Sequence, residues 1–169
     1  MVSLFLAGLA RPLDAWSAER SAEGLVVLYD FRLAKGSIVR DRSGAGQPLD
    51  LKIENPKNVR RSEGALEVRG KTLIHSEKPA TKITEAVRRT GEITVEAWVR
   101  PANTKQSGPA RIISLSGNSS QRNVTLGQEG NQFDARFRTT KTSGNGLPSL
   151  SSQVRSLSLR LTHVVYTRN

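Results

Sequence analysis

The sequence predicts an all-β fold, an antiparallel two-sheet jelly-roll sandwich with one short helix near 81–89. Three observations carry that expectation. Polar and apolar residues alternate from Glu92 to Pro101, with Ile93, Val95, Ala97 and Val99 on one face and Glu92, Thr94, Glu96 and Trp98 on the other. That period of two belongs to a half-buried strand. Short β-type runs then recur along the chain between Gly, Asn and Ser turns, and only one segment has helical spacing.

Taken in order from Gly24, the first run is Leu25 to Phe31, followed by Ser37-Ile38-Val39 and the turn chemistry of Asp41 to Gly46. Leu49 to Ile53 alternates and stops at Asn55-Pro56, and Ala65 to Gly70 alternates again. Ile83, Ala86 and Val87 fall at i, i+3 and i+4, which predicts a helix of one or two turns within Thr81 to Arg89. After the Glu92–Pro101 strand come Arg111 to Ser116, Asn123 to Gly127, Phe133 to Thr139 and Leu161 to Arg168. No repeat of solenoid or propeller period interrupts the series.

Length and composition bound the rest. A chain of 169 residues has the size of one domain, able to bury roughly 68–70% of the surface its unfolded form exposes. There is no cysteine, which removes disulfides, thiolate metal sites and a Cys nucleophile from consideration. No segment reaches the roughly 20 apolar residues of a membrane span. Residues Val2 to Ala10 are apolar and precede Arg11-Pro12, which reads either as a secretory signal lacking its basic start or as a short helix lying on the domain. The expected organisation is a signal-like segment and linker over 1–23 and one domain over 24–169.

The net charge is +11, and 18 of the 26 basic residues are arginine. This balance favours an acidic partner. The arginines are dispersed, however, as Arg40 and Arg42, Arg60-Arg61, Arg88-Arg89, and Arg136 and Arg138. A nucleic-acid interface would concentrate them in a stripe with interleaved aromatics, so no specific nucleic-acid partner is expected. Electrostatic binding of acidic polymers stays open as an alternative.

As an ordered set, Gly24 to Phe31, Val39 to Gly44, Glu92 to Pro101, Ile112 to Ser116, Asn123 to Gly127 and His163 to Arg168 resemble the laminin-G-like jelly-roll domains of the concanavalin A-like lectin/glucanase superfamily. The resemblance spans about Gly24 to Asn169. It implies a curved two-sheet sandwich, a module of a secreted, periplasmic or cell-surface protein, that binds carbohydrate or an extracellular protein and often calcium. It also implies strands beyond the one resembling His163–Arg168. Since the sequence ends at Asn169, the domain is expected to be incomplete at its C-terminus and a fragment of a larger protein.

Candidate site residues follow in three groups. Glu92-x-Thr94-x-Glu96 is close to the Glu-x-Asp-x-Glu strand of glucanases in that superfamily, with threonine where the resemblance implies aspartate. Positions i and i+4 of a flat strand lie about 13 Å apart, against roughly 5–9.5 Å for paired glycosidase carboxylates. The expectation is therefore a non-catalytic protein, with a degenerate glycoside hydrolase as the alternative. For ligand contact the candidates are Trp98, Arg136 and Arg138, with Trp16 and Tyr29 as further stacking surfaces. For calcium they are Asp30, Asp41 and Asp134, each near a strand end or turn, although Asp41 before Ser43-Gly44 equally suits a carboxylate capping its own turn.

His75 and His163 stand far apart, and no Gly-x-Ser-x-Gly, HExxH or phosphate-loop pattern accompanies them. His163 opens an apolar strand and reads as structural. Asn118 and Asn123 fit the glycosylation acceptor pattern, a short motif that arises often by chance.

Overall fold

The computed structural model describes residues 2–4 and 23–169. Its elements in chain order are β1 (Val2–Leu4), β2 (Ile38–Val39), β3 (Leu51–Ile53), β4 (Val59–Ser62), β5 (Ala65–Val68), β6 (Ile74–His75), α1 (Thr81–Thr90), β7 (Ile93–Pro101), β8 (Ala110–Ser116), β9 (Arg122–Glu129), β10 (Gln132–Phe137), β11 (Leu150–Ser151) and β12 (Thr162–Arg168). Every pairing given below is antiparallel, and one helix interrupts the strands. This is the all-β class that the sequence predicts. The backbone divides into two compact units, one of residues 5–92 and one of residues 1–4 with 93–169. Apart from the backbone of Val2–Leu4, the apolar N-terminal segment expected as a signal lies outside the described residues, as does Trp16.

In the unit of residues 5–92, β2, β3 and β6 form one small sheet, with Val39 opposite Leu51 and Ile53 opposite Ile74. β4 and β5 form a hairpin closed by Glu63-Gly64, where Gly64 takes a positive φ of 72° that a side chain would resist. The core is Val39, Ile53 and Leu66, with Tyr29, Phe31, Leu51, Val59, Val68 and Ile74 packed against it.

Leu25–Phe31, expected as the first strand, forms none. The Leu28 amide is taken by the Asp41 carboxylate at 3.2 Å, and Phe31 turns the chain at φ 54°. Tyr29 and Phe31 still pack against the core, while the backbone ladder is lost. Helix α1 runs ten residues, longer than the one or two turns expected, and stops where Gly91 adopts φ 76° and returns its amide to Val87 O at 2.8 Å. Arg88 and Arg89 sit in its last turn, where cations complement the helix dipole.

The second unit contains two sheets. One holds β12 and β1 on either side of β7, and the other runs β11-β10-β9-β8. Trp98 of β7 stands opposite His163 of β12, Glu96 opposite Val165, and Thr94 opposite Thr167. The sheets meet through Val99, Phe133 and Leu157, joined by Ile112 and Val164. Alternation therefore sends Val99 and Val164 inward and Trp98 and His163 outward.

A bulge at Ile112 lets Arg111 face Gly127 and Ile113 face Leu126; the extra residue turns Ile112 into the core, while Ile113 stays exposed. Gln128 is buried at the end of β9. Its amide donates to Asn103 O at 2.7 Å and Gly130 O at 2.9 Å, and its oxygen accepts from Gln106 at 3.1 Å, so the buried side chain is satisfied.

Candidate ligand-binding face

The outward side of β7 and β12 is built by strand alternation. Trp98 and His163, directly opposed in the register, stack with ring centroids 4.6 Å apart and planes 12° from parallel. His163 Nε2 donates to Glu96 Oε1 at 2.9 Å. A carboxylate only accepts, so the hydrogen must sit on Nε2. One step further along the pair, the hydroxyls of Thr94 and Thr167 meet at 3.1 Å. The result is a row of two stacked rings, a carboxylate and two hydroxyls on one face, with His163 and Glu96 more than a third exposed and Val165, opposite Glu96, half exposed.

Such a row has two capabilities. Flat rings offer apolar area at little conformational cost, and a Trp bears an N–H that seeks a partner. A carboxylate and an imidazole beside them accept and donate directional hydrogen bonds. The register explains why sequence reasoning named Trp98 and passed over His163 as a site residue. Glu96 and His163 are separated by 67 positions, and only the pairing of β7 with β12 joins them. The available signal was that His163 alternates with Thr162 and Val164, so that it lies on the opposite face of its strand from them.

The other named residues go elsewhere. Glu92 ends the unit of residues 5–92, where its amide donates to Thr90 Oγ1 at 3.1 Å, while Glu96 belongs to the other unit. Arg136 lies on β10 between Ala135 and Phe137, on the side of its sheet turned away from Phe133 and the core; its Nε pairs with Asp134 Oδ1 at 3.1 Å. Arg136 and Trp98 thus stand on different sheets, and the Arg136 side chain is only 13% exposed. Arg138 is exposed just past β10, its amide bonded to Asn123 O at 2.8 Å. Tyr29 packs in the core and donates its hydroxyl to Leu49 O at 2.6 Å; burial, then the charges of Asp41 and Asp50, push its phenol far above the ordinary range. Its ring is partly buried against that core.

The three calcium candidates do not converge. Asp30 is held between Arg32 Nε at 3.0 Å and Arg42 Nε at 3.2 Å. Asp41 is buried and accepts from the amides of Leu28, Ser43 and Leu49 at 3.0–3.2 Å, and from Lys82. Its bond to Ser43 is the turn cap that the local sequence suggests. Asp134, in the other unit, is paired with Arg136 and accepts from Ser151 at 3.4 Å. A calcium ion needs several oxygens at one point, and among the described residues no cluster of three or more His, Asp or Glu could hold a metal. These carboxylates are committed to cationic and amide donors and do not fit the ion.

The profile of the Concanavalin A-like lectin/glucanases superfamily, in its laminin G form, matches residues 76–169, more than half of the chain. The chain belongs to this laminin G-like family. Its β7, β8, β9, β10 and β12, with the Trp98–His163 face, all lie within the matched region. No curated protein and no solved structure is significantly similar to this laminin G-like chain. Among its described residues no helix is long and apolar enough to cross a membrane.

Proposed function

We propose that this laminin G-like chain is a non-catalytic binding module that takes a carbohydrate on the outward face of β7 and β12. One observation carries the reading: the Trp98–His163 stack beside the Glu96 carboxylate. Sugar rings present C–H faces suited to flat aromatic area and hydroxyls that both donate and accept, so stacked rings flanked by a carboxylate, an imidazole and threonine hydroxyls match both demands. Laminin G-like domains commonly bind carbohydrates or proteins, are typically extracellular and are generally non-catalytic, which supports a secreted or cell-surface setting.

The test is a glycan array probed with the full chain, with Trp98→Ala and with His163→Ala, in calcium and in chelator. The expected result is a defined set of bound glycans whose signal falls at least tenfold in both variants. Equal binding by all three proteins would overturn the assignment of the face. A protein ligand lost from the same variants would keep the face and replace the sugar.

A further inference from the structure

A second candidate site lies within the unit of residues 5–92. A cleft of about 260 Å³ opens beside the 34–37 loop, lined among others by Lys35, Ser37, Ile53, Pro56, Val59 and Arg61. Arg61 stands on β4 opposite Leu66, and its Nη1 donates to three carbonyls: Lys35 O at 3.0 Å, Gly36 O at 3.0 Å and Ile38 O at 2.7 Å. Those carbonyls converge because Gly36 takes φ 88°, a conformation glycine adopts without strain. The loop is therefore wrapped round one end of the guanidinium and fixes it in place.

The other edge is unused. Arg61 Nε is buried without a hydrogen-bond partner, and Nη2 donates to none of the described residues. These two nitrogens form the side of the guanidinium fork that matches the two oxygens of a carboxylate, sulfate or phosphate. None of the eight lining residues is acidic, and Lys35 adds a second positive charge. Burial pushes the guanidinium below its ordinary value, and an unpaired donor on a charged group is costly to shield from water. An oxyanion that reaches this edge would remove both penalties.

We propose that this cleft binds a small carboxylate or sulfate oxyanion on the Nε–Nη2 edge of Arg61, with Ile53, Pro56 and Val59 as an apolar flank. The volume, just below the roughly 300 Å³ at which pockets for drug-sized ligands begin, suits a single acidic group with a short apolar body. The same chemistry is presented by a free anion or by an acidic monosaccharide, and the proposal stands independently of the β7–β12 face.

The experiment is amide-resolved NMR titration of the full chain with sodium sulfate, acetate, glucuronate and, as the uncharged control, glucose. The expected result is saturable shifts of the Gly36 and Ser37 amides with at least one anion and none with glucose. Tighter binding of glucuronate than of acetate identifies a saccharide as the source, and sulfate alone identifies a free anion. Arg61→Lys keeps the charge and loses the fork, and weakens binding at least tenfold. Since Arg61 also holds its loop, Ala34→Glu provides the independent variant: Ala34 is an exposed lining residue, and a carboxylate placed there occupies the fork from within and abolishes the shifts. Non-saturable shifts, or binding unchanged in Ala34→Glu, would overturn the proposal.

Discussion

Lys82, on the first turn of α1, reaches back 41 residues to the carboxylate of Asp41. The pair is largely shielded from water, with Asp41 1% and Lys82 17% exposed at the side chain. Lys82 also donates to Ala45 O at 2.9 Å, so one ammonium ties the helix to the 41–45 turn. The turn is tied in turn to the preceding segment, because Asp41 accepts the Leu28 and Leu49 amides. Here a buried polar network does what the backbone ladder fails to do for Leu25–Phe31.

Removing one partner of such a pair costs about 3–5 kcal/mol, because the other charge is left buried and unpaired. Asp41→Ala is expected to lower stability by that order, and Lys82→Met by a smaller amount because the three amides still hold the carboxylate. Chemical denaturation of each variant measures the loss. A loss under about 1 kcal/mol for Asp41→Ala would place the network on the surface energetically.

The same residue sets an acid limit. Burial alone pushes the Asp41 carboxyl up, but the Lys82 ammonium and the amides of Leu49, Ser43 and Leu28 outweigh it and hold the group well below its ordinary 3.8. A depressed carboxyl contributes stability that is present above the unfolded value and is lost as pH falls through the folded one. Asp41→Asn should therefore flatten the decline of melting temperature below pH 4. An unchanged acid limb would assign the decline to other carboxylates.

His75 and Glu54 form a pair with a different window. His75 Nε2 lies 2.7 Å from Glu54 Oε1; that bond, with the Ser76 carbonyl next, raises the imidazole above its ordinary 6.5. The same bond to His75, then the Lys52 charge, lowers Glu54 from its ordinary 4.5. The contribution of His75 is complete below 6.5 and fades as pH rises through its raised value; that of Glu54 is complete above 4.5 and fades as pH falls through its lowered value. Stability from the pair thus peaks between them. Both side chains are about a third exposed or more, so the effect is small. The melting temperature of the native chain minus that of His75→Gln should shrink between pH 6 and pH 9, and parallel curves would remove His75 as the titrating group.

β7 was legible because nine residues alternate without interruption, and α1 because Ile83, Ala86 and Val87 repeat at helical spacing. β4 was not, since Val59-Arg60-Arg61-Ser62 carries adjacent arginines that hide its alternation; Arg61 is held on the inside only by carbonyls supplied from 35–38. β6 and β11 span two residues each, too few to show any period. Trp98 was visible as an aromatic on the polar side of a strand. Its partner His163 and the Arg61 cleft depend on pairings between distant segments, which no local pattern encodes.

Gly127 separates packing from conformational freedom. A Cβ there would stand 2.9 Å from Ala110 O and 3.0 Å from Pro109 Cβ, so Gly127→Ala pushes β8 away from β9 and should cost about 1–3 kcal/mol, the range for overpacked sites. Gly144 has open space around its Cβ direction and no positive φ, which makes Gly144→Ala the matched control with an effect within about 0.5 kcal/mol. Equal melting temperatures for the two variants would mean that β8 yields at the bulge.

The Trp98–His163 stack is the relationship on which the proposed binding face depends, and its strength is measurable without a ligand. Offset or parallel aromatic pairs contribute about 0.5–1.5 kcal/mol beyond the area they bury, and a double-mutant cycle isolates that contribution because the two residues touch directly. Trp98→Ala, His163→Ala and the double variant should show a coupling in that range, while Thr94→Ala with Thr167→Ala, which removes one hydroxyl pair at 3.1 Å, should give a smaller one. Glu96→Gln serves as the third arm: it keeps an acceptor for His163 Nε2 but removes the charge. A face that recognises neutral sugar retains most of its binding in Glu96→Gln and loses it in Trp98→Ala, whereas a hydrolase using Glu96 as a catalytic carboxylate loses turnover in Glu96→Gln with binding kept. Measured hydrolysis of a bound polysaccharide that vanishes in Glu96→Gln would replace the binding-module reading with the enzymatic one.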